Sequence, residues 1–490
     1  MAINAGTNLN SVPAPQKQTL SSNYVDFTTT STEGWAQQYL PDLMEKEAEV
    51  FGQRTISGFL NKVGAEEAMQ SDRVVWSEQS RLHISLVGTI DLDGNVSSSG
   101  AKGKFTSVTD IDGNAITTTH GVRNHDIVLL ATAGKVSRCM VVAVDGADIG
   151  LRAFDEDVLT GHSEVAEAAT LLVIGSEFKK GDTYDGQTAA DRGSNEPDFK
   201  TFTNKPIIMR DNYVVSGSDT SRIGWVEVTS EGGASGYLWY LKAEADTRAR
   251  FNDHLEMTML EAVKGSNSTN VDGELGYSTE SDAGTEGLFA AIEDRGNITT
   301  GVTGLNAATD LAEFDAILAE FDKQGAIEEN MMFINRATSL AVDDMLASMN
   351  SYGAGGTSFG VFDNDEDMAL NLGFSGFRRG SYDFYKSDFR YLNDKATRGG
   401  INDAAGSAAI RGVMIPAGTS TVYDQSLGTN LKRPFLHVRY RASQTDNRRM
   451  KTWVTGSVGA ATSALDAMEI HMLSERCLIT QGANNFMLMK

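Results

Sequence analysis

The chain has 490 residues, of which 40% are hydrophobic; this excludes a disordered protein and suffices for one large elaborated domain or two to four smaller ones. Its 42 basic and 66 acidic residues give a formal net charge of −24, which argues against a surface that grips nucleic acid tightly, because phosphate contacts need Lys and Arg. With two cysteines, no signal-peptide pattern and no apolar run of eighteen residues, the sequence predicts a reduced chain without a transmembrane helix.

The N-terminal part of the chain predicts a loose arm followed by short helices. Residues 1–32 are polar and show little periodicity, which is typical of a segment that becomes ordered only when something binds it. Residues 33–62 show a helical pattern in two pieces, with a start or kink at Pro41. Since such an arm cannot offset its own ordering entropy, we expect a neighbouring molecule to complete it.

A β-rich region follows. The stretch 85–175 has short apolar runs bounded by Gly and Asp, with Asp-Gly turns at 91–95 and 110–114, and it predicts a small β-barrel or sandwich. The flanking segments 74–88 and 205–228 have the composition of strands. These segments are therefore predicted to be the two legs of one long hairpin, with the β-rich module inserted between them.

Residues 236–264 form the longest helical pattern in the chain and predict a helix about 40 Å long. Its apolar stripe consists of Leu238, Leu241, Ala245, Leu255, Met259 and Ala262, and Arg248 and Asn252 interrupt the middle of that stripe. Glu244 with Arg248, and Asp246 with Arg250, are predicted ion pairs one helical turn apart.

An α/β core is predicted for residues 286–350. Residues 310–325 predict a helix with Asp310 as its N-cap, Glu313 at the third helical position and Gly325 as its C-cap. Residues 331–335 predict a buried strand and 337–350 a further helix. The C-terminal residues alternate in the manner of strands.

The sequence contains no complete motif for an enzyme active site. A phosphate-binding glycine motif is absent, and residues 373–376, GFSG, fail to complete a nucleophile elbow because Phe377 replaces the last glycine. His120 and His125 have no cysteine nearby and are predicted to be exposed loop residues. Cys139 lies in an apolar run and is predicted to be an inert core thiol. No enzyme activity and no cofactor are therefore expected.

Two acidic stretches invite comparison with calcium-binding loops. In 91–95 the glycine comes two positions too early for such a loop. In 363–374 the required glycine is replaced by Met368, and the bidentate glutamate is replaced by Phe374. Solvated acidic loops are therefore predicted in place of a metal site.

The segment 431–451 is the most basic part of the chain. It contains Lys432, Arg433, Arg439, Arg441, Arg448, Arg449 and Lys451 against a single acid, Asp446. Contact with nucleic acid and contact with protein both remain open, and the acidity of the chain favours protein. The same alternatives hold for the segment 377–379. The candidate inter-subunit contacts are Arg378, Arg379, Arg439, Arg441, Arg448 and Arg449.

The order of these elements resembles the major capsid protein of tailed bacteriophages, which has the HK97-like fold. The resemblance covers most of the chain as an order of elements: an arm, a two-stranded excursion, one long helix, an α/β core and closing strands. The C-terminal residues 474–490, SERCLITQGANNFMLMK, are similar to the C-terminal strands of phage capsid proteins, including those of crAss-like phages and marine podoviruses.

The resemblance implies an α+β, HK97-like fold with an all-β insertion of roughly 120 residues in the extended hairpin called the E-loop. The implied segments are 1–50, N-terminal arm; 51–84, start of the peripheral (P) domain and first E-loop leg; 85–200, insertion domain; 201–232, second E-loop leg; 233–304, P-domain with its spine helix; 305–448, axial (A) domain; and 449–490, closing strands.

The function implied by the resemblance is structural. Copies of the chain are expected to assemble as pentamers and hexamers into an icosahedral shell around double-stranded DNA, which is packaged without sequence specificity. The expected partners are a separate scaffolding protein, a portal and a decoration protein, with no membrane. Assembly is expected in the host bacterial cytoplasm, and the mature location is the virion.

A second hypothesis from the residues alone is an extracellular, β-rich, calcium-binding adhesin or surface-layer protein. The acidity, the glycine content and the Asp-rich turns favour it. The missing signal-peptide pattern, the incomplete calcium loops and the α/β region argue against it.

Overall fold

The computed structural model describes residues 59–490 with gaps, and it divides the chain into two units. The gaps are 61–64, 80–82, 93–102, 111–112, 117–119, 156–158, 160–161, 163–166, 181–198, 223–226, 230–234, 266–269, 277–282, 325–326, 351–374, 418, 425–428 and 459–460. The first unit comprises Met1–Trp76 with Thr203–Lys490, and the second comprises Ser77–Phe202. The predicted arm, 1–50, lies outside the described residues.

The described residues form a mixed α/β protein. In chain order the strands are β1 (Ala65–Met69), β2 (Val74–Gln79), β3 (Ser85–Asp91), β4 (Gly103–Asp110), β5 (Asp126–Ala131), β6 (Val136–Asp145), β7 (Asp148–Ala153), β8 (Glu167–Ser176), β9 (Phe199–Asn204), β10 (Ile207–Ser216), β11 (Glu227–Thr229), β12 (Ser235–Tyr237), β13 (Asn297–Thr299), β14 (Glu329–Ile334), β15 (Ser375–Arg379), β16 (Tyr382–Asp388), β17 (Gly412–Pro416), β18 (Thr419–Asp424), β19 (Thr429–Pro434), β20 (Leu436–Arg441), β21 (Lys451–Gly456), β22 (Ala467–Thr480) and β23 (Met487–Met489). The helices are α1 (Gly217–Arg222), α2 (Leu238–Glu261), α3 (Asn270–Glu274), α4 (Leu288–Arg295), α5 (Ala307–Gln324), α6 (Arg336–Asn350), α7 (Arg390–Asn393) and α8 (Arg398–Ala405).

Strand β22 is the centre of a five-stranded sheet in the first unit. It pairs antiparallel with β10, β20 and β21, and β1 extends the sheet by pairing parallel with β20. Nine consecutive residues of β22, 472–480, are buried, which is the pattern of a strand covered on both faces. The predicted C-terminal strands are therefore confirmed, and they belong to this sheet and to β23.

The predicted hairpin legs 74–88 and 205–228 pair differently in the structure. The two-stranded ribbon consists of β2 and β9, while β10 pairs along its full length with β22. The physical reason lies in the side chains of β10, because Tyr213 and Val215 are buried against helix α2 and the residues of β22. A strand with such an apolar face is stabilised more by a packed sheet than by an isolated ribbon.

The second sheet of the first unit has six strands, in the order β13-β23-β17-β14-β16-β15. Its central strand β14 is parallel to β16 and antiparallel to β17. Helices α5 and α6 cover one face, where Phe314 and Met345 pack with the fully buried Met332 and Phe384. The predicted strand at 331–335 and the helix at 337–350 are confirmed within two residues at each end.

The predicted N-cap of helix α5 is wrong. The helix begins one turn earlier, at Ala307, and the side-chain oxygen of Asn306 accepts the Ala308 N–H at 3.0 Å. Asp310 is buried and accepts the backbone N–H groups of Thr303 and Gly304 at 3.0 and 3.2 Å. The acid therefore braces the loop before the helix, which sequence spacing alone does not distinguish from a cap. The predicted C-cap, Gly325, lies outside the described residues.

Helix α2 confirms the predicted long helix, with bounds at Leu238–Glu261. Its buried stripe uses Phe251 and Leu255, whereas the predicted stripe residue Ala245 is exposed. The predicted ion pair of Glu244 with Arg248 is present at 3.0 Å. The guanidinium of Arg250 lies 4.0 Å from the carboxylate of Asp211 on β10.

The second unit contains a closed six-stranded barrel in the order β3-β4-β7-β6-β5-β8, with β8 pairing back to β3. Alternate residues point inward, and Phe105 and Leu159 are among the fully buried side chains that fill the interior. A β-bulge in β3 contains Gly88, where an added Cβ would lie 2.6 Å from the Thr106 carbonyl oxygen. The stretch 85–175, predicted as a barrel or sandwich, is a barrel.

Candidate functional site

The chemistry-bearing residues of the described chain do not converge on a catalytic or metal site. Among the described residues, no group of three or more His, Cys, Asp or Glu could hold a metal ion. Both cysteines are fully buried, and burial raises the pKa of Cys139 and of Cys477 to about 12, which leaves the thiols protonated and unreactive. The acidic stretch 363–374 lies outside the described residues, as does most of 91–95.

The histidine prediction is wrong for His120. This residue lies in the connection between β4 and β5 and is 7% exposed, and its Nδ1 accepts the Val122 backbone N–H at 3.1 Å, so it is a buried residue of that connection. Burial lowers the pKa of His120. His125 is half-buried, and its ring centroid lies 5.3 Å from that of Phe178. Neither histidine belongs to a group of possible metal ligands within the described ranges.

Four of the six candidate arginines meet at one end of the five-stranded sheet. Arg439 and Arg441 lie on β20, and the parallel strand β1 places Glu67 directly opposite Arg439. The Arg439 guanidinium forms an ion pair with Glu67 at 2.9 Å. Arg448 and Arg449 lie in the connection from β20 to β21 and reach the same end of the sheet.

Glu475 on β22 joins two of these arginines. Its side chain is 6% exposed, and its two oxygens lie 2.7 Å from Arg441 Nε and 2.8 Å from Arg448 Nε. Arg441 also forms an ion pair with Asp72 and donates to the Gln70 carbonyl at 2.9 Å. The hydrogen bond to Asp72 is the largest of the contacts that raise the pKa of Arg441. The guanidinium is therefore held from three sides.

Glu66 on β1 lies between the fourth candidate arginine, Arg449, and a further arginine on β22, Arg476. One of its oxygens forms an ion pair with Arg449, and the other lies 3.8 Å from Arg476 Nη1. Arg476 is buried, and burial lowers its pKa; it donates to Ser474 Oγ at 2.9 Å and to the Arg449 carbonyl at 2.8 Å. The Arg449 side chain itself remains 53% exposed. Together, these residues form the arginine–carboxylate network: Glu66, Glu67, Asp72, Arg439, Arg441, Arg448, Arg449, Glu475 and Arg476.

The other two candidates, Arg378 and Arg379, lie on β15 at the edge of the six-stranded sheet. Arg379 donates to both oxygens of Asp315 on α5, at 2.5 and 2.6 Å, a bidentate geometry that ties the edge strand to the helix. Arg378 is 66% exposed, with its Nε 3.6 Å from Asp383. The structure thus separates these two arginines from the network.

Sequence reasoning missed the carboxylates of the network, because they are remote from the basic segment along the chain. Asp72 and Arg441 are 369 residues apart. The available signal was the pattern AEEAM at 65–69, in which Glu66 and Glu67 precede an apolar residue in a short strand. That pattern indicates charge on an edge strand without identifying its partners.

A second missed feature is Asn204, which is fully buried where β9 ends. Its amide group donates to the carbonyls of Leu478 and Glu286 at 2.6 and 3.0 Å, and its oxygen accepts the Glu286 N–H at 2.9 Å. Thr285 donates its hydroxyl to the same oxygen at 3.1 Å. The contact with Leu478 holds the end of β9 against the central strand β22, and the other three tie it to residues 285 and 286, which precede helix α4.

Among the described residues, no helix has the length and apolar character needed to cross a membrane.

No family model matches the chain, and no curated protein matches it. Solved structures do resemble it. A chain of Microbacterium phage Oxtober96 is 9% identical, with 92% of this chain and 96% of that chain covered and a TM-score of 0.37. A chain of the cyanophage Pam1 capsid asymmetric unit is 14% identical, with 63% and 81% covered and a TM-score of 0.32. A chain of the bacteriophage PhiM1 mature capsid is 12% identical, with 63% and 78% covered and a TM-score of 0.30.

Proposed function

We propose that this chain is a major capsid protein of a tailed bacteriophage with an HK97-like fold. The observation that carries the proposal is that helix α2 contributes to two hydrophobic cores. Phe251 and Leu255 pack with the five-stranded sheet, while Met259 and Leu260 pack in a core that contains residues of both sheets. A helix anchored in this way is a stiff strut across the subunit, which suits a protein that must transmit load in a shell.

Within this proposal, α2 is the spine helix and the five-stranded sheet is the P-domain sheet. The six-stranded sheet with α5 and α6 corresponds to the A-domain. The ribbon of β2 and β9 is the base of the E-loop, and the barrel of the second unit is its insertion domain. The N-terminal arm, 1–50, completes the assignment.

The proposed assembly is a shell of pentamers and hexamers that encloses double-stranded DNA. The net charge of −24 supports a wall that neither clings to packaged DNA nor aggregates before assembly. A scaffolding protein, a portal and a decoration protein are the proposed partners, and the host bacterial cytoplasm is the proposed place of assembly. The proposed group within the tailed bacteriophages is that of the crAss-like phages or the marine podoviruses.

The candidate arginines divide into two roles under this proposal. Arg439, Arg441 and Arg448 brace the sheet internally, because each has a carboxylate partner within the chain and is at most about one-third exposed. Arg378 and Arg449 are the arginines of this set that remain more than half exposed, so they are the ones best placed to contact another subunit.

The test is electron microscopy of the full chain, expressed alone and together with a scaffolding protein from the same genome. We expect closed shells of uniform diameter, which sediment far ahead of free subunits in a sucrose gradient. Discrete small oligomers under every condition would contradict the proposal. A calorimetric titration with calcium separates it from the adhesin hypothesis, which requires tight binding that raises the melting temperature.

A further inference from the structure

The barrel carries a second apolar face, on the outside of β5, β6 and β8. Ile127 and Leu129 on β5 are half-buried, and the residues that alternate with them are fully buried inside the barrel. Ile127 is opposite Met140 on β6, and Leu129 is opposite Leu172 on β8. None of these four side chains belongs to the barrel core among the described residues. They form a continuous apolar patch on the outer surface.

Two arginines border this patch. Arg138 is opposite Leu129, and Arg152 is opposite Met140; both arginines are exposed. Neither forms an ion pair with the described part of the chain, in contrast to the arginines of the arginine–carboxylate network. Phe154, 48% exposed, adjoins Arg138, since its backbone N–H donates to the Arg138 carbonyl at 3.0 Å. We call Ile127, Leu129, Met140, Leu172, Arg138, Arg152 and Phe154 the arginine-bordered face.

The opposite side of the same barrel is polar except for Val87. The outward residues of β3 and β4 include Ser85, Thr89, Lys104 and Thr106, of which Lys104 forms an ion pair with Asp148 at 2.7 Å. An antiparallel barrel whose interior is filled with apolar side chains needs no apolar residues on its outer surface. The apolar patch is therefore not required for folding the barrel, and a half-buried apolar patch bordered by exposed arginine and aromatic side chains is typical of an interaction site.

We propose that the arginine-bordered face docks onto an acidic, partly apolar surface of a second copy of this chain. Charge complementarity selects the occupant: the face offers two arginines that have no carboxylate partner among the described residues, while each further copy carries a net charge of −24. Arginine and aromatic side chains around an apolar centre are also the composition of protein interfaces. The inference rests on the proposed function, because a shell supplies further copies at high local concentration.

Photo-crosslinking tests the identity of the occupant. The full chain is produced with p-benzoyl-L-phenylalanine at Phe154, and ¹⁴N- and ¹⁵N-labelled copies are mixed before assembly. Mass spectrometry then distinguishes cross-links between copies from those within one copy. We expect mixed-isotope cross-links that end in acidic peptides, and few when the probe is placed at Val87 on the polar side, which is 38% exposed.

A charge-reversal pair tests the role of the arginines. With Arg138→Glu and Arg152→Glu combined, we expect about a tenfold loss of mixed-isotope cross-links from the probe, since like charges across an interface are strongly unfavourable. The control combines Lys179→Glu and Lys180→Glu, which changes the net charge equally at two exposed lysines of the same unit. Equal losses in the two double variants would overturn the role of the arginines.

The outcomes separate this inference from the proposed function. Shells that form while the probe cross-links only within its own copy, or only to a different protein, would overturn the second-copy occupant and leave the capsid proposal intact. If no shells form, the capsid proposal fails. Mixed-isotope cross-links in the smaller oligomers would then still support the contact, and their absence there would overturn it.

Discussion

Replacing Ala249 by proline tests whether α2 works as a strut. Proline at this position removes the hydrogen bond from residue 249 to the Ala245 carbonyl and clashes with that carbonyl, at a cost of ~3 kcal/mol or more. The twelve steps along the helix from residue 249 to Glu261 span about 18 Å, so a kink of about 20° displaces the two parts of the helix relative to each other by about 6 Å. Phe251, Leu255, Met259 and Leu260 all follow the kink, so they can keep their places in the two cores only if the preceding part of the helix swings away. That movement would take Ala243 out of the core that contains Phe251.

We expect Ala249→Pro to abolish shell formation while the protein remains soluble, because the barrel and the α/β sheet do not depend on the continuity of α2. Sucrose-gradient sedimentation and electron microscopy measure assembly, and circular dichroism checks that the chain is folded. Ala249→Gly is the matched control, since it weakens the helix by only about 1 kcal/mol without a kink. Shells of normal size and yield from the proline variant would refute the strut.

Three further predictions concern buried polar groups. Glu475→Gln leaves two arginines without their shared carboxylate. We expect hydrogen exchange in β20 and β22 to become faster by an amount equivalent to ~3 kcal/mol of lost stability. Glu67 is more exposed, so Glu67→Gln should lower the stability by less than about 1 kcal/mol. Equal protection in the two variants would contradict the central role of Glu475. Asn204→Ala should destabilise the end of β9 by about 3 kcal/mol, because it leaves buried backbone groups unpaired, and a differential scanning melt unchanged within 1 °C would contradict this. Burial lowers the pKa of His120 below its usual 6.5, so the unfolded state binds the proton more readily and the barrel should lose stability as pH falls below about 6.5. His120→Gln should flatten that dependence in melts between pH 7 and 5, and an unaltered slope would show that His120 is not its source.

The helical and barrel regions could be predicted from the sequence because their signals are local. The period of Phe314 and Phe321 predicted α5, and the short apolar runs bounded by Gly and Asp in 85–175 predicted a barrel or sandwich. The errors came where burial, or a choice among nearby backbone partners, decided the role of a side chain. Asp310 has the spacing of a cap but binds the preceding loop, and His120 was predicted to be exposed in a loop but is buried there.

The candidate site was predicted only in part. The arginines of 431–451 were identified because a run of cations stands out in an acidic chain, but their partners were not. Glu66 and Glu475 come from strands at opposite ends of the sequence, and they meet the arginines because β1 and β22 flank β20. The pairing of β20 with β1 and β22 depends on the whole sheet, so no short stretch of sequence indicates it.

The sequence by itself therefore determined the type of each strong element, the acidity of the chain and the order of the elements, since these depend on neighbours within a few turns or strand residues. Only the tertiary structure decided that β10 lies against β22 instead of forming a ribbon, and that α2 serves two cores. It also decided that Arg439, Arg441 and Arg448 pair with carboxylates of the chain, whereas Arg138 and Arg152 form no ion pair within the part of the chain that the structure describes. The physical reason is that strand pairing and ion pairing are contacts between distant segments, whose free energy depends on burial and register that no short stretch of sequence contains.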